Sequence, residues 1–434
     1  MSSAEQWLPA TWRRLTAAVT MLLHLVSAQT SDSLTLVNVL YHHGDRSPLR
    51  AYPTDPYQEK AWAHGFSQLT EVGVQQQYDL GVFLRNRYQH FLNKSYHVHE
   101  LYVRSLDTDP ALSSAYCVLA GLFPRTDGHT GGVTWQPVPV HTTASQQDHL
   151  LASPDPWCDV TDDVDEIDQR HQLLENYREL LQTLRNYTGL TEDGIAMVDI
   201  MADTLFCEEQ HNMTLATWAK DALSLLRHKV LPEMISRRYR STAQRRQAAG
   251  ALLLKIIQDM SLSASGQLDG TKMFMYSAHD TNVMALLASM NLFDGRPVPY
   301  STAVLVELHT LNHTHHVNVW LRNASRDGLH QLTLPGCDVD CPLSQFIELT
   351  KDTALPGATA CSIFNLFPLR QLAIVLAISL STGFTTLLCL FAVTSCCCPR
   401  RRLLPPKRYR KMFSEVVPEQ VPMIGSSLGS DCDD

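Results

Sequence analysis

The sequence predicts an α/β fold in which a sheet of strand–turn–helix–strand units is interrupted by a long helical insertion. Three observations carry this. The runs Leu34–Tyr41, Glu100–Val103 and Met273–Ser277 read as strands, each stopping at a polar cluster. The first and third are followed by segments with helical spacing, Ser67–Tyr88 and Thr281–Met290. Between Asp159 and Asp259 the chain becomes long, polar and helix-like.

Leu34–Tyr41 is apolar or β-branched except at Asn38, and a glycine turn at Gly44 follows it. In Ser67–Tyr88, the positions Leu69, Val72, Val74, Leu80, Val82, Phe83 and Leu84 mark a helix with basic residues near its end. Glu100–Val103 stops at Arg104, and Met273–Ser277 runs into Ala278-His279-Asp280. Two alternating strands follow, Ala303–Leu308 and Val317–Leu321. Open α/β sheets place their ligands outside the carboxyl ends of strands. Here those ends supply His43 and Arg46, then Arg104, then His279 and Asp280.

The 434-residue chain carries a net charge of −9, which argues against a nucleic-acid partner. Residues 1–28 read as a secretory signal: Arg13 and Arg14, then an apolar stretch from Leu15 to Leu25, then Val26-Ser27-Ala28 before a cleavage point. Leu372–Val393 has no charged residue and is long enough to cross a bilayer. Arg400, Arg401 and Arg402 follow it and set the tail, 394–434, in the cytosol. The expectation is a type I single-pass membrane protein with a lumenal domain at 29–370 and a helical insertion at about 159–259.

Five N-x-S/T sequons begin at Asn93, Asn186, Asn212, Asn312 and Asn323, all between the two apolar segments. Six cysteines share that region: Cys117, Cys158, Cys207, Cys337, Cys341 and Cys361, an even count that permits disulfides in an oxidising compartment. Cys337 and Cys341 bracket a short loop and are the easiest local pair; zinc is the rival reading, but no second Cys/His pair sits at a fitting distance.

The residues at the three strand ends form a set suited to phosphoryl transfer. Guanidinium forks match phosphate oxygens bidentately. A histidine can attack phosphorus and form a covalent intermediate. A carboxylic acid beside it can protonate the leaving oxygen. Taken singly, each of these residues also reads as an ordinary turn residue.

The segments "HGDRSP" (43–48), "YVRSLDTD" (102–109), "WQPVPVHT" (135–142) and "MYSAHDTN" (275–282) resemble the histidine acid phosphatases of the lysosomal and prostatic type. The resemblance runs from about Leu34 to Cys361. It implies a mixed sheet flanked by helices, with a smaller helical cap domain over the site, plus the single C-terminal transmembrane helix. It implies hydrolysis of phosphate monoesters with no metal and no cofactor. Carried over by motif, His43 is the nucleophile that becomes phosphohistidine and Asp280 the proton donor to the leaving alcohol. Arg46, Arg104 and His279 bind the phosphate. Trp135 and His141 fall where relatives form a dimer contact, so a homodimer is implied. The same resemblance pairs Cys158 with Cys361 and Cys337 with Cys341. It leaves Cys207 either with Cys117 or free, because the position of its usual partner reads Ala303.

Two departures bear on activity. The family signature begins with arginine where this chain has His42, and an arginine further on has become part of Asp109-Pro110-Ala111. An imidazolium at His42 supplies positive charge and N–H donors at acidic pH, so His42 is expected to bind phosphate there and to fail near neutrality. The alternative function is a catalytically weak or inactive phosphatase-like membrane glycoprotein that acts as a binding protein.

The cluster His309, His313, His315 and His316 reads as a solvated hairpin turn rather than a metal site. Asp159–Asp168 reads as a charged helix start, since the glycine and ligand spacing of a calcium loop are absent. Arg237 to Arg246 holds five arginines and reads as a solvated helix face or an anionic-substrate rim. In the tail, Tyr409-Arg410-Lys411-Met412 fits a tyrosine-based sorting pattern, and Cys396, Cys397 and Cys398 are placed for palmitoylation. The localisation expected is the lysosomal or plasma membrane.

Overall fold

The computed structural model describes residues 33–124, 135–152, 172–192, 194–323 and 328–355. Its first strand, β1 (Ser33–His42), is buried at every residue from Leu36 onward. The other strands are β2 (Leu101–Ser105), β3 (Met273–Ala278), β4 (Ala303–Leu311), β5 (Thr314–Arg322), β6 (Leu329–Leu332) and β7 (Cys341–Pro342). They form a seven-stranded sheet in the order β2-β3-β1-β4-β5-β6, with β7 against β5. β1 pairs parallel with β3, and β3 with β2. β4, β5 and β6 join antiparallel. The sheet is therefore mixed, and its parallel trio brings the residues after His42, Ser105 and Ala278 to one edge.

Both faces of the sheet are covered, which is why β1 reads as a continuous apolar run rather than an alternation. Val37, Val39 and Tyr41 pack with Leu80, Leu84, Val118 and Leu119 on one side. Leu36 and Leu40 pack with Leu252, Ile256, Leu286 and Leu287 on the other. The first side is closed by α1 (Glu71–Arg87) and α2 (Asp109–Leu122). A Cβ on Gly81 would lie 2.0 Å from the Val118 carbonyl oxygen, and one on Gly121 would lie 2.3 Å from that of Tyr78. The two helix backbones touch, and this contact sets the rotation of α1. Gly73, Gln77, Leu80, Gly81 and Leu84 are buried, whereas Val72 and Val74 are exposed. The apolar face expected from the sequence is thus corrected, as is the helix start. Thr70 caps the helix by accepting from Gly73 N at 3.2 Å, so it begins at Glu71.

β2 continues past Val103 through Arg104 to Ser105. α2 was not expected from the sequence. Pro110 falls in its first turn, where the missing N–H has no helical partner to lose.

The described part of the insertion comprises α3 (Arg178–Thr188), α4 (Gly194–Gln210), α5 (Thr217–Leu225) and α6 (Leu231–Arg238), with a π-helical turn at Leu226–Val230. These helices enclose a separate core built on Leu184, Met197, Met201, Leu205, Leu223 and Leu226, which also takes in Tyr52. The long α7 (Thr242–Ala264) and then α8 (Asp280–Ser289) pack on the sheet, and α9 (Leu343–Thr350) follows β7.

β4 and β5 join through Asn312 and His313, both at positive φ as a tight type I′ hairpin requires. His309 pairs with Glu307 at 3.2 Å, His315 with Thr310 at 3.1 Å and His316 with Thr314 at 2.8 Å. In the basic run, Arg237 pairs with Glu233 at 2.6 Å and Arg246 donates to the Asp352 carbonyl. Cys337 and Cys341 form a disulfide, with Cα atoms 5.6 Å apart. Cys207 is buried and Cys117 half-buried, both as free thiols. Asn93, Asn186, Asn212 and Asn312 are exposed and Asn323 is half-buried.

Cys158, Cys361, Asp159–Asp168, the 1–28 signal, the 372–393 apolar segment and the tail lie outside the described residues. No helix among the described residues is long and apolar enough to cross a membrane.

Candidate active site

β1 delivers His42 as its last residue and His43 as the first residue beyond it. Neighbours on both sides fix the backbone there. His43 N donates to Ala278 O at 2.9 Å, and Ser301 N donates to His43 O at 3.1 Å. Gln77 Nε2 donates to His42 O at 3.0 Å, and Gly44 N donates to Ser114 Oγ at 3.0 Å. A Cβ on Gly44 would lie 2.5 Å from the Gly73 carbonyl oxygen, so the loop rests directly on the first turn of α1.

Three imidazoles meet above this loop. The ring centres of His42 and His43 are 4.4 Å apart, and those of His43 and His279 are 5.2 Å apart with the planes perpendicular. Tyr300 closes the group, its ring 5.0 Å from His42 and 5.7 Å from His43. His43 Nδ1 lies 2.8 Å from Gly44 O. A carbonyl can only accept, so Nδ1 carries the proton and Nε2 carries the lone pair. Burial, His42, His279 and Arg46 together hold the His43 imidazole well below the usual histidine range. Burial also pushes His279 down to about 4, against the opposing pull of Asp280. His42 Nδ1 faces Pro299 O at 3.0 Å, and burial lowers this group too, while Asp280 acts in the opposite sense.

Arg46 is held by a carboxylate that sequence reading did not single out. Its Nη2 donates to Asp203 Oδ1 at 2.8 Å, and its Nη1 to Asp203 Oδ2 at 3.3 Å and to Ser47 O at 3.0 Å. Burial works against the Arg46 charge, and Asp203 more than restores it. Arg104 has its own partner: Nη2 donates to the buried Asp148 at 2.5 Å. No direct contact joins Arg104 to the three imidazoles among the described residues. A relay does connect them. Asp148 Oδ1 accepts from Leu151 N at 3.0 Å, Leu151 O accepts from Asn282 Nδ2 at 2.6 Å, and Asn282 Oδ1 accepts from His279 N at 3.1 Å.

His279 is the N-cap of α8 and Asp280 its first residue, so the amino end of that helix lies at the imidazole cluster. A helix amino end favours an anion. The asymmetry of the cluster thus fits a phosphate: an unprotonated imidazole nitrogen, a guanidinium, a helix amino end and one carboxyl group. Asp203, Asp148 and Tyr300 had no signal in the sequence, because each acquires its role only from a partner distant along the chain. Trp135 is half-buried and pairs with Pro124, while His141 extends the edge of β2 and stacks on Tyr102 at 5.1 Å. A cavity of about 330 Å³, lined by Ser47, Trp62, Gln68, Thr70 and His211 among others, contains none of the six predicted site residues.

The sequence profile of the histidine phosphatase superfamily (branch 2) matches residues 33–322. Lysosomal acid phosphatase of Rattus norvegicus is 37% identical over 342 residues, covering 76% of this chain and 80% of that protein. Lysosomal acid phosphatase of Homo sapiens is 38% identical over 331 residues, covering 74% and 78%. Prostatic acid phosphatase of Rattus norvegicus is 34% identical over 360 residues, covering 80% and 94%. Among solved structures, the phytase from Citrobacter braakii shares the fold with a TM-score of 0.55 at 15% identity, over 76% of this chain and 100% of that one. With the profile spanning β1 to β5 and all three members of the imidazole cluster, the chain belongs to the histidine phosphatase superfamily, branch 2.

Proposed function

We propose that the protein is an acid phosphatase that hydrolyses phosphate monoesters through a phosphohistidine on His43. The observation that carries this is the tautomer of His43. Nδ1–H is tied to Gly44 O, and Nε2 keeps its lone pair in a buried site that disfavours protonation even in acid. In the first step Nε2 attacks phosphorus, the P–O ester bond breaks, and Asp280 gives its proton to the departing alkoxide. In the second step water attacks phosphorus, its proton passes to Asp280, and the P–N bond breaks to free phosphate. Arg46, Arg104, His279 and protonated His42 hold the phosphoryl oxygens. The likeness to acid phosphatases supports this assignment of roles.

The domain layout belongs to the same proposal: a signal at 1–28, a lumenal catalytic domain at 29–370, a membrane span at 372–393 and a cytosolic tail. So do glycans on the five sequons, the Cys158–Cys361 bridge, a homodimer, and residence in the lysosomal or plasma membrane.

A second reading, a phosphate-binding glycoprotein with weak or no turnover, is favoured by His42. With Nδ1 donating to Pro299 O, a neutral His42 presents a lone pair, not a donor, at Nε2. One experiment separates the two readings. The glycosylated lumenal domain is mixed with an aryl phosphate at acidic pH, quenched, and searched for acid-labile phosphate on His43. Labelled enzyme with turnover supports the phosphatase. A folded sample with neither, which still binds inorganic phosphate, supports the binder.

A further inference from the structure

Five polar side chains at 203, 204, 207, 208 and 211 share one face of α4 and the turn that ends it. All of them meet the segment after the nucleophile or the aromatic wall beside it. Thr204 Oγ1 donates to Arg50 O at 2.9 Å. Cys207 Sγ lies 3.8 Å from the Tyr300 hydroxyl. Glu208 meets Asp55 carboxyl to carboxyl. His211 Nε2 lies 2.7 Å from Asp45. Asp203 is the member of this face that reaches a guanidinium.

The donors of Arg46 can be followed one by one. A guanidinium has five N–H groups. Asp203 takes one from Nη1 and one from Nη2, and Ser47 O takes the other from Nη1. What remains is Nε–H and the outer Nη2–H, two parallel donors on one edge of the plane. That edge is the bidentate fork a phosphate accepts. The Arg46 charge is felt by His42, His43 and His279 alike, so the guanidinium stands beside the imidazole cluster. Asp203 is anchored in turn, since Leu49 N donates to its Oδ2 at 2.7 Å.

We infer that Asp203 is a positioning residue for the phosphate site: it grips the end of the Arg46 guanidinium and so presents the Nε/Nη2 edge to the phosphoryl oxygens. The inference rests on the phosphatase reading above. It makes the helical insertion a working part of the site, because the carboxylate that orients a loop residue of the sheet comes from α4.

The test is a double-mutant cycle on the lumenal domain: wild type, Asp203→Asn, Arg46→Gln and the pair. Two readouts are used at acidic pH, kcat and KM with an aryl phosphate, and the Kd for inorganic phosphate by calorimetry. Asp203→Asn is expected to lose about 10²-fold in kcat/KM through misplacement of the fork, and to weaken phosphate binding. In the Arg46→Gln background the same change should cost no more than about twofold. Asp203→Glu restores part of the loss. Thr204→Val, which removes another bond from α4 to the same loop, should leave both readouts within about twofold of wild type.

Equal losses with and without Arg46, or a Thr204→Val loss as large as that of Asp203→Asn, overturn the inference. If Asp203→Asn does not fold, Asp203→Glu against Thr204→Val decides by the same comparison. A wild type that binds phosphate without turnover overturns the phosphatase reading, and the cycle is then scored on Kd alone. A folded wild type that does neither overturns both.

Discussion

The imidazoles of His42 and His43 meet edge to face with ring centres 4.4 Å apart, and both hand their Nδ1 protons to backbone carbonyls. Identical tautomers suit the two positions unequally. A lone pair at Nε2 is what a nucleophile needs and what a phosphate-binding group must not have.

The first prediction follows for His42→Arg. Burial holds His42 below the ordinary histidine pKa of 6.5, so its charge is present only at the acid end and disappears as pH rises. Arginine keeps its charge throughout. Restoring one preorganised donor should raise kcat/KM by about 10²-fold near neutrality, and by much less in acid. The check is a pH–rate profile of both proteins; superimposable curves would discard the role given to His42.

Asp280→Asn removes the proposed proton donor and leaves the helix N-cap, His279, in place. Loss of general-acid assistance should slow alkyl phosphates by about 10²–10⁴-fold. Nitrophenyl phosphate, whose leaving group needs no proton, should suffer far less. The measurement is a plot of log kcat/KM against leaving-group pKa, which should become steeper in the variant. An unchanged slope would remove Asp280 from the role of acid.

Glu208 concerns stability. Burial first, and then the neighbouring Asp55, push its pKa up from 4.5 to about 9. Tyr52 and Tyr57 are the other titratable groups at the pair, and Asp55 also accepts from Tyr57 N at 2.8 Å. The folded protein therefore holds a proton that the unfolded chain gives up. The resulting stability is complete below about 4.5 and is lost progressively up to about 9. Glu208→Gln supplies a permanent donor, so its melting temperature at neutral pH should exceed wild type by about 2–4 °C per kcal/mol recovered. Melts across that pH range check it, and parallel curves would refute the shared proton.

Glu307 should behave in the opposite sense. Burial alone would raise it, but hydrogen bonds from His309, Arg87 and Tyr88 bring its pKa down to about 2. Its contribution is present above 4.5 and is lost only as pH falls through about 2, so it survives mild acid. Glu307→Gln strands the Arg87 charge, which donates to it at 2.8 Å and 3.0 Å. A cost of about 3–5 kcal/mol is expected in urea unfolding.

Local signals carried the strands and their order along the chain, because a sheet covered on both faces demands largely apolar runs such as 36–41, where Asn38 is the one polar residue. His43, Arg46, His279 and Asp280 were legible for the same reason: they sit where those runs stop. What stayed hidden was set by contacts across long stretches of sequence. The rotation of α1 depends on Gly81 meeting Gly121, and no hydrophobic pattern within α1 reports that. Arg46 finds its counter-ion 157 residues away on the insertion. Arg104 finds Asp148 in a loop with no periodicity at all. Pro110, read as a lost arginine, is equally the start of a helix that local reading passed over.

The contact between Gly44 and Gly73 decides where variation is tolerable. A Cβ on Gly73 would fall 2.1 Å from the Asp45 carbonyl oxygen, and one on Gly44 would fall 2.5 Å from that of Gly73. The residue after His43 therefore has no freedom to carry a side chain, and its carbonyl is the group that fixes the His43 tautomer. Position 42 is held differently: its ring meets the His43 and Tyr300 rings and its Nδ1 faces Pro299 O, so side-chain contacts rather than a backbone-on-backbone approach set its place. A change at position 44 or 73 must therefore move the loop that carries His43, whatever the chemistry of the new side chain.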